Sequence, residues 1–500
     1  MAINFIPNDP LAGAGSPGIR IQSPRPNRPA SRAGFQFFDA LPQGAAAPAT
    51  PQFLFWQCRE GAVRAVEAFE AAAGPLSAWQ GNRKRIPLIQ NAVVQLGANP
   101  EPNAFYNRAS VQFFQFTGGG KTTFSGESTD VVAHEVGHGI LDALRPQLIE
   151  VDVLEVGAFH EAFGDCIALL TALEDAASAA AVRTRIASPN FLETTSEDLS
   201  DAIRRVDPGH NAAAPRHALN TIQWQLPTSL PSDGGPGVLI NEEHSFAQIF
   251  SGAFYDLILK LAGAAPTVAA LKTAARKAVR LLAEAARTAP LTARFLQSVG
   301  RAMVMADEQL NGGANRTAIG AAFAGHGVLL GSSAMLAPLA ALSGSGPALS
   351  ARAATLGAAT RRDLVSRLGL KGSVKMLAAP LVIGGSRVAQ AIVQREVSLA
   401  KISPKLKGVV ARVMESVLVG ESGGRAAVLG AMPVMSAMND EVLSFAEGLL
   451  KHKRIEFQPT KRTAAKGRPA PASGLTHEVA TVAGKRQLRR VGFACVCGQR

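Results

Sequence analysis

From residue 53 to residue 80 apolar residues recur at helical spacing, with Val63, Val66, Phe69 and Leu76 near one face. Strand-like runs follow over residues 85–94 and 110–116, and Gly118–Gly120 marks a turn. From Asp130 the period turns helical and predicts helices over about 130–144, 157–174, 244–262, 266–288 and 291–306. Strands first and helices after predict an α+β protein with two lobes. Residues 51–156 form a mixed N-terminal lobe and residues 157–330 a mainly helical one. Residues 1–50, rich in Pro, Ala and Gly and without periodicity, read as an irregular arm.

Composition changes this picture only past residue 330. With 47% hydrophobic and 18% charged residues over 500 positions, the chain is not disordered throughout. Four cysteines are too few for a disulfide scaffold. Residues 1–330 hold 26 Lys+Arg and 29 Asp+Glu, a net of −3; residues 331–500 hold 25 and 9, a net of +16, and the two sum to +13. The basic character therefore belongs to a C-terminal extension, 331–500. Residues 331–350 read as its linker, 351–456 as helical by apolar spacing, and 457–491 as a segment of Lys/Arg runs. Such a tail suits a polyanion or an anionic membrane surface, although no aromatic platform or nucleic-acid motif accompanies it. Cys495 and Cys497 form a lone C-x-C, too little for a metal site. The uncharged stretch 317–350 is interrupted by Gly, Ser, Pro and His326, so no integral membrane span is expected. Residues 1–30 lack an apolar core after a basic start, so the expected location is cytoplasmic, or outside the cell by a route without a signal peptide.

The strongest chemical signal is His134-Glu135-Val136-Gly137-His138. Two His at i and i+4 on a helix point the same way and can reach one zinc ion. Glu135 between them can take a proton from bound water. Val131 and Val132 before the motif and Ile140 and Leu144 after it continue an apolar helix face, and Pro146 stops the helix. A third protein ligand is needed, and Glu161 is the next candidate. Asp165, one turn on, can accept the free N–H of a ligating His. His160 points to a different face.

The runs from Asp130 to His138 and from Gly157 to Asp165 resemble the thermolysin family of zinc endopeptidases. The resemblance implies a two-lobed zincin fold, a zinc cofactor, and peptide or protein substrates. It implies His134, His138 and Glu161 as ligands, Glu135 as general base and Asp165 as the residue that orients a ligand. The gap of 22 residues between His138 and Glu161 is longer than in typical members. The run from Asn103 to Asn107 resembles the stretch leading into the family's substrate-binding edge strand, which implies that Asn103 and Ala104 hold the peptide backbone. The run from His244 to Tyr255 resembles the helix that opens with the transition-state-stabilising His, here His244. The run from Ala321 to Val328 resembles the family's closing segment. By the same resemblance Val131 lines the pocket after the scissile bond.

The departures define what is open. Glu242 or Glu243 is the candidate holder of His244, where the family has an Asp. Arg204 or Arg205 is the candidate for the substrate-carbonyl arginine. Residues 146–156 contain no tyrosine for the oxyanion. Asp130 matches one calcium ligand, but Ala172 and Ala180 stand where other carboxylates belong, so tight calcium binding is not expected. The family's large folding propeptide is not expected, since residues 1–50 are all that precede the first helix in the sequence. Three classes of function remain: a zinc endopeptidase, another HExxH hydrolase such as an aminopeptidase, and a catalytically retired scaffold with a polyanion-binding tail. Because the resemblance ends near Val328, where the charge shift begins, the tail is expected to be separable, so that a chain ending at Gly331 folds and works.

Overall fold

The computed structural model describes residues 1–331 except 38, 40 and 41, then 362, 365–366, 375–383, 386–422, 425–429, 435–458, 469 and 474–495. Every helix predicted up to residue 306 is present, and one more follows. They are α1 (Pro51–Ala73), α2 (Thr129–Leu144), α3 (Leu154–Glu174), α4 (Glu243–Ala262), α5 (Val268–Thr288), α6 (Phe295–Asn311) and α7 (Arg316–Gly325). Local chemistry sets their starts. The Thr50 hydroxyl accepts from the Phe53 N–H with Pro51 in the first turn of α1, and Ser128 caps α2. Helix α3 is buried on almost every side, and Phe159 on it meets the ring edges of Phe163, Phe250 and Phe295. Among the described residues, α3 alone is long and apolar enough to cross a membrane, and here it is the centre of the protein interior.

Strands β1 (Gly34–Gln36), β2 (Arg85–Ile89), β3 (Ala104–Tyr106) and β4 (Val111–Phe113) form one side of a mixed sheet in the order β3–β4–β2–β1. The strand-like run at 85–94 ends early, because Asn91 caps a short helix, Ala92–Leu96. Gly119 and Gly120 take positive φ in the turn predicted for them. The arm 1–50 is irregular but not loose: Ile3, Phe5 and Ile6 are buried, and β1 lies in the sheet.

The C-terminal extension departs from expectation. Long strands β5 (Lys375–Ile383), β6 (Ser386–Ser398), β7 (Val409–Ser422) and β8 (Arg425–Leu429) replace the helices expected there, followed by helix α8 (Met435–Lys451). Strands β9 (Ile455–Glu456), β10 (His477–Val482) and β11 (Lys485–Arg490) complete a sheet of seven strands among the described residues. The misreading has a simple cause. Val409, Val413 and Val417 are spaced by four, which fits one helix face, but four is also even, so they share a strand face too. Their β-branched side chains favour the pleated surface. The linker expected at 331–350 lies outside the described residues from 332 on.

The tail is also not separate from the rest. Ser416 exchanges hydrogen bonds with Leu291, donating its N–H to the Leu291 carbonyl at 2.9 Å and accepting the Leu291 N–H on its hydroxyl at 2.7 Å. Arg294 pairs with Glu441 at 2.8 Å, Arg412 with Glu150 at 2.9 Å, and Arg490 with the buried Glu243. The basic tail residues Arg412 and Arg490 thus meet carboxylates of the first two-thirds, and Arg294 of the first two-thirds meets a tail carboxylate. The composition boundary marks a change of charge, not an end of packing. A final strand, β12 (Phe493–Ala494), crosses to the other sheet and pairs antiparallel with β3.

Candidate metal centre

Helices α2 and α3 cross so closely that neither tolerates a side chain at the contact. A Cβ on Gly137 would lie 2.9 Å from the Gly164 Cα, and one on Gly164 would lie 2.6 Å from His134 Nδ1. The two glycines therefore bring the HExxH face of α2 onto the Glu161/Asp165 face of α3.

At this contact His134 Nε2 lies 3.1 Å, and His138 Nε2 3.7 Å, from Glu161 Oε2. His134 Nδ1 is 2.9 Å from Asp165 Oδ1, so Asp165 orients the ring from behind. Asp165 is itself held by Arg216 at 2.8 Å and by the Ser251 hydroxyl at 3.1 Å. His138 Nδ1 faces His160 Nδ1 at 3.0 Å. His160 is thus placed to fix the tautomer of His138, a function its different helix face concealed in the sequence.

Glu135 is fully buried, and neither of its oxygens has a hydrogen-bond partner; His138 Nε2 and Glu161 Oε1 are in the same condition. Buried polar atoms left this way are costly unless something outside the protein chain satisfies them. Two imidazoles and one carboxylate converging on a point, with open polar atoms around it, are a donor set that fits zinc with one position left for water.

Burial and the neighbouring charged groups shift the titrations of the cluster in opposite directions. Burial pushes His138 down to about 3, leaving the neutral imidazole that can ligate. Burial would raise Glu161, but the neighbouring His244 and His138 and the hydrogen bonds from His134 and His244 hold it well below the usual range. Burial opposes the charge on His134, yet the bonds to Asp165 and Glu161 lift it to about 9. Burial raises Glu135 to about 8, marking it as a group able to exchange a proton near neutral pH.

His244 opens α4. Glu242 caps that helix, with Oε2 accepting from the N–H groups of His244 and Ser245 at 2.9 and 3.0 Å, while its Oε1 meets His244 Nδ1 at 2.8 Å. The cap residue is therefore also the holder of the ring. Glu243 is instead bonded to Arg490. His244 Nε2 reaches 3.1 Å from Glu161 Oε2. Asn103 precedes β3, its side-chain oxygen accepting from the Ala104 N–H at 3.0 Å. Val131 is fully buried one turn before His134.

The arginine candidates fail. Arg204 is paired with Asp201 at the surface, and Arg205 donates to the Gly118 and Lys121 carbonyls of a distant hairpin. The arginine at the site is Arg216, which the sequence alone does not single out, because nothing in its spacing connects it to Asp165. A cavity of about 110 Å³ beside it is lined by Arg216, His244, Glu242, Ser196, Gln248 and Cys495.

A second cluster lies at the start of α2. Asp9 of the arm, Asp130 and Glu197 bring carboxylate oxygens within reach of a common ion, and Asp198 adjoins them. Burial and mutual repulsion raise Asp9 to about 7 and Glu197 to about 10. This cluster is built from the arm, the start of α2 and the short helix Glu197–Arg204, and not from positions 172 and 180, which are alanines.

Residues 106–334 match a family model described as Fungalysin metallopeptidase (M36), a thermolysin-like zinc metallopeptidase family. The matched segment is somewhat under half of the chain and contains His134, Glu135, His138, Glu161, Arg216 and His244. No curated protein matches the chain. The match and the mixed helix-and-sheet architecture agree with the α+β, thermolysin-like fold expected from the sequence. The match supports a metallopeptidase, a class whose substrates are peptides or proteins.

Proposed function

We propose that the chain is a zinc endopeptidase acting through His134, His138 and Glu161 as metal ligands, Glu135 as general base and His244 as oxyanion donor. The observation that carries this reading is the convergence of the two His, Glu161 and the open Glu135 carboxylate at one buried point, with His244 alongside. Zinc bound there would acidify a water and polarise the substrate carbonyl. Glu135 accepts the proton of the attacking water and delivers it to the leaving nitrogen. His244, fixed by Glu242, donates from Nε2 to the oxygen of the tetrahedral intermediate, a contribution of about 3 kcal/mol. Asp165 holds His134 in its ligating tautomer. Arg216, bound to Asp165, donates to the next substrate carbonyl, and the Ala104 carbonyl accepts the substrate N–H along β3. Val131 gives the pocket after the cut bond an apolar wall.

An edge strand that pairs with extended backbone suits the interior of a peptide better than a free N-terminus, which favours the endopeptidase over the aminopeptidase. An intact ligand set with its base speaks against a retired scaffold. The protein purified without added metal is expected to carry one zinc per chain by elemental mass spectrometry. It should cut an internally quenched peptide, lose that activity to a chelator, and leave aminoacyl-amides intact. Metal-free protein with undiminished hydrolysis would end the zinc reading, and aminoacyl-amide cleavage alone would favour the exopeptidase.

The carboxylates around Asp130 favour calcium as a structural ion. Their folded pKa values are raised, so the neutral cluster stabilises the fold below about pH 4, and this contribution is lost as pH rises through 7 toward 10. A divalent cation reverses that loss. Millimolar calcium should therefore raise the melting temperature more at pH 8 than at pH 5. An equal effect at both pH values, or none, would show that the cluster holds no ion.

A further inference from the structure

Strand β12 lies in the cleft itself. Its register against β3 pairs Phe493 with Tyr106 and Ala494 with Phe105. The Cys495 N–H then donates to the Ala104 carbonyl at 3.0 Å. The Ala494 carbonyl accepts from His244 Nε2 at 2.7 Å, and the Cys495 carbonyl accepts from Arg216 at 3.2 Å. These are the three groups to which the proposed mechanism assigns a substrate's scissile carbonyl, its following N–H and its next carbonyl. The strand is thus seated in the register of a peptide whose Ala494–Cys495 bond stands where a cut bond would.

Side chains complete the seat. The Phe493 ring stacks on His138 and His160, with centroids 4.7 and 4.0 Å away, and the Arg490 guanidinium covers it at 4.4 Å. Cys495 is fully buried, with Sγ 3.5 Å from the Ser196 hydroxyl and within metal-ligand reach of His134 and Glu135. The unpartnered Glu135 carboxylate is buried beside it. The segment is anchored upstream, through the β10–β11 hairpin and the Arg490–Glu243 pair. Cleavage after Ala494 would therefore leave Phe493 and Ala494 in place. None of this tail falls within the matched family segment, which stops at residue 334.

We infer that residues 492–495 are a resident intramolecular peptide that fills the metal cleft in substrate register and excludes other peptides. The inference rests on the peptidase reading for its consequence, lowered activity, but its occupancy is testable without catalysis. A tethered ligand acts at an effective concentration of about a millimolar. Against a typical KM of about 0.1 mM, that lowers the efficiency toward added substrate roughly tenfold.

Gly492 offers a way to unseat the strand without touching the site, since a Cβ there would lie 2.8 Å from the Tyr106 backbone carbonyl. Gly492→Val in the full chain is expected to speed alkylation of Cys495, followed by peptide mass spectrometry, at least tenfold relative to wild type, with buried Cys166 as the unreactive reference. It should raise kcat/KM for an internally quenched peptide about tenfold. A chain ended after Val491 keeps Arg490 and serves if the valine variant does not fold. It should bind a dye-labelled synthetic peptide of residues 491–497 that the full chain does not bind. Equal alkylation of Cys495 in wild type and Gly492→Val, or no gain of peptide binding in the shortened chain, would overturn the inference. If these differences hold while no form hydrolyses peptides, the resident strand stands and the peptidase reading falls. If every form hydrolyses at the same rate, the peptidase stands and the resident strand falls.

Discussion

Glu135→Gln is expected to keep the metal and lose hydrolysis by at least about 10²-fold. The side chain sits inside the cluster yet is not a ligand in the His134–His138–Glu161 set, and both of its oxygens are open toward the same point. Gln preserves the size of the group, so the packing of α2 on α3 survives. It removes the function proposed for the carboxylate, acceptance of the water proton and its return to the leaving nitrogen. The shift of Glu135 to about 8 by burial places its proton exchange near neutral pH, which an amide cannot copy. The comparison is best made in the chain ended after Val491, so that the resident strand does not mask the loss. Zinc content per chain and kcat/KM are measured together. A variant that retains zinc and cuts peptide at the parent rate would remove Glu135 from the mechanism, whereas a variant that has lost zinc would make it a ligand.

Arg490→Ala is expected to destabilise the protein by about 3–5 kcal/mol, because it leaves a buried carboxylate unpaired. Glu243 is 3% exposed and Arg490 6%, and their two hydrogen bonds join α4 to β11. Glu243 also fills the space over Gly157, where a Cβ would overlap its carboxylate, so the charge has no room to swing out to water. Combining Arg490→Met with Glu243→Gln should recover most of the loss, since two uncharged groups of similar volume carry no stranded charge. Denaturant midpoints of the two single variants and the double variant form the cycle. An Arg490→Ala protein as stable as wild type would mean that the pair is open in solution. The same reasoning reverses the expectation that a chain ending at Gly331 folds and works. Such a chain strands Glu243, uncovers the ring faces of His138 and His160, and leaves Leu291 without the bonds it exchanges with Ser416.

The sequence by itself determined whatever depends on spacing within one helix. His134, Glu135 and His138 share a face because 3.6 residues make a turn, and Glu161 and Asp165 share another for the same reason. Resemblance then assigned their roles, and the extents of α2 to α5 followed within a few residues from the apolar period, whereas α6 was expected over 291–306 and runs Phe295–Asn311. Only the tertiary structure decided what depends on segments distant in the chain. Arg216 lies 51 positions after Asp165, and no local pattern ties the two together. Asp9 joins Asp130 and Glu197 only because the irregular arm is packed against the start of α2. The tail misled twice, once because a spacing of four residues suits helix and strand alike, and once because a change of net charge looked like a boundary. A charge total counts residues and carries no information about partners: Arg490 adds to the basic tail in the sequence, but in the fold it neutralises Glu243 and leads β12 into the cleft. Long-range pairing of this kind is settled by burial and shape complementarity across the whole chain, which a one-dimensional pattern does not encode.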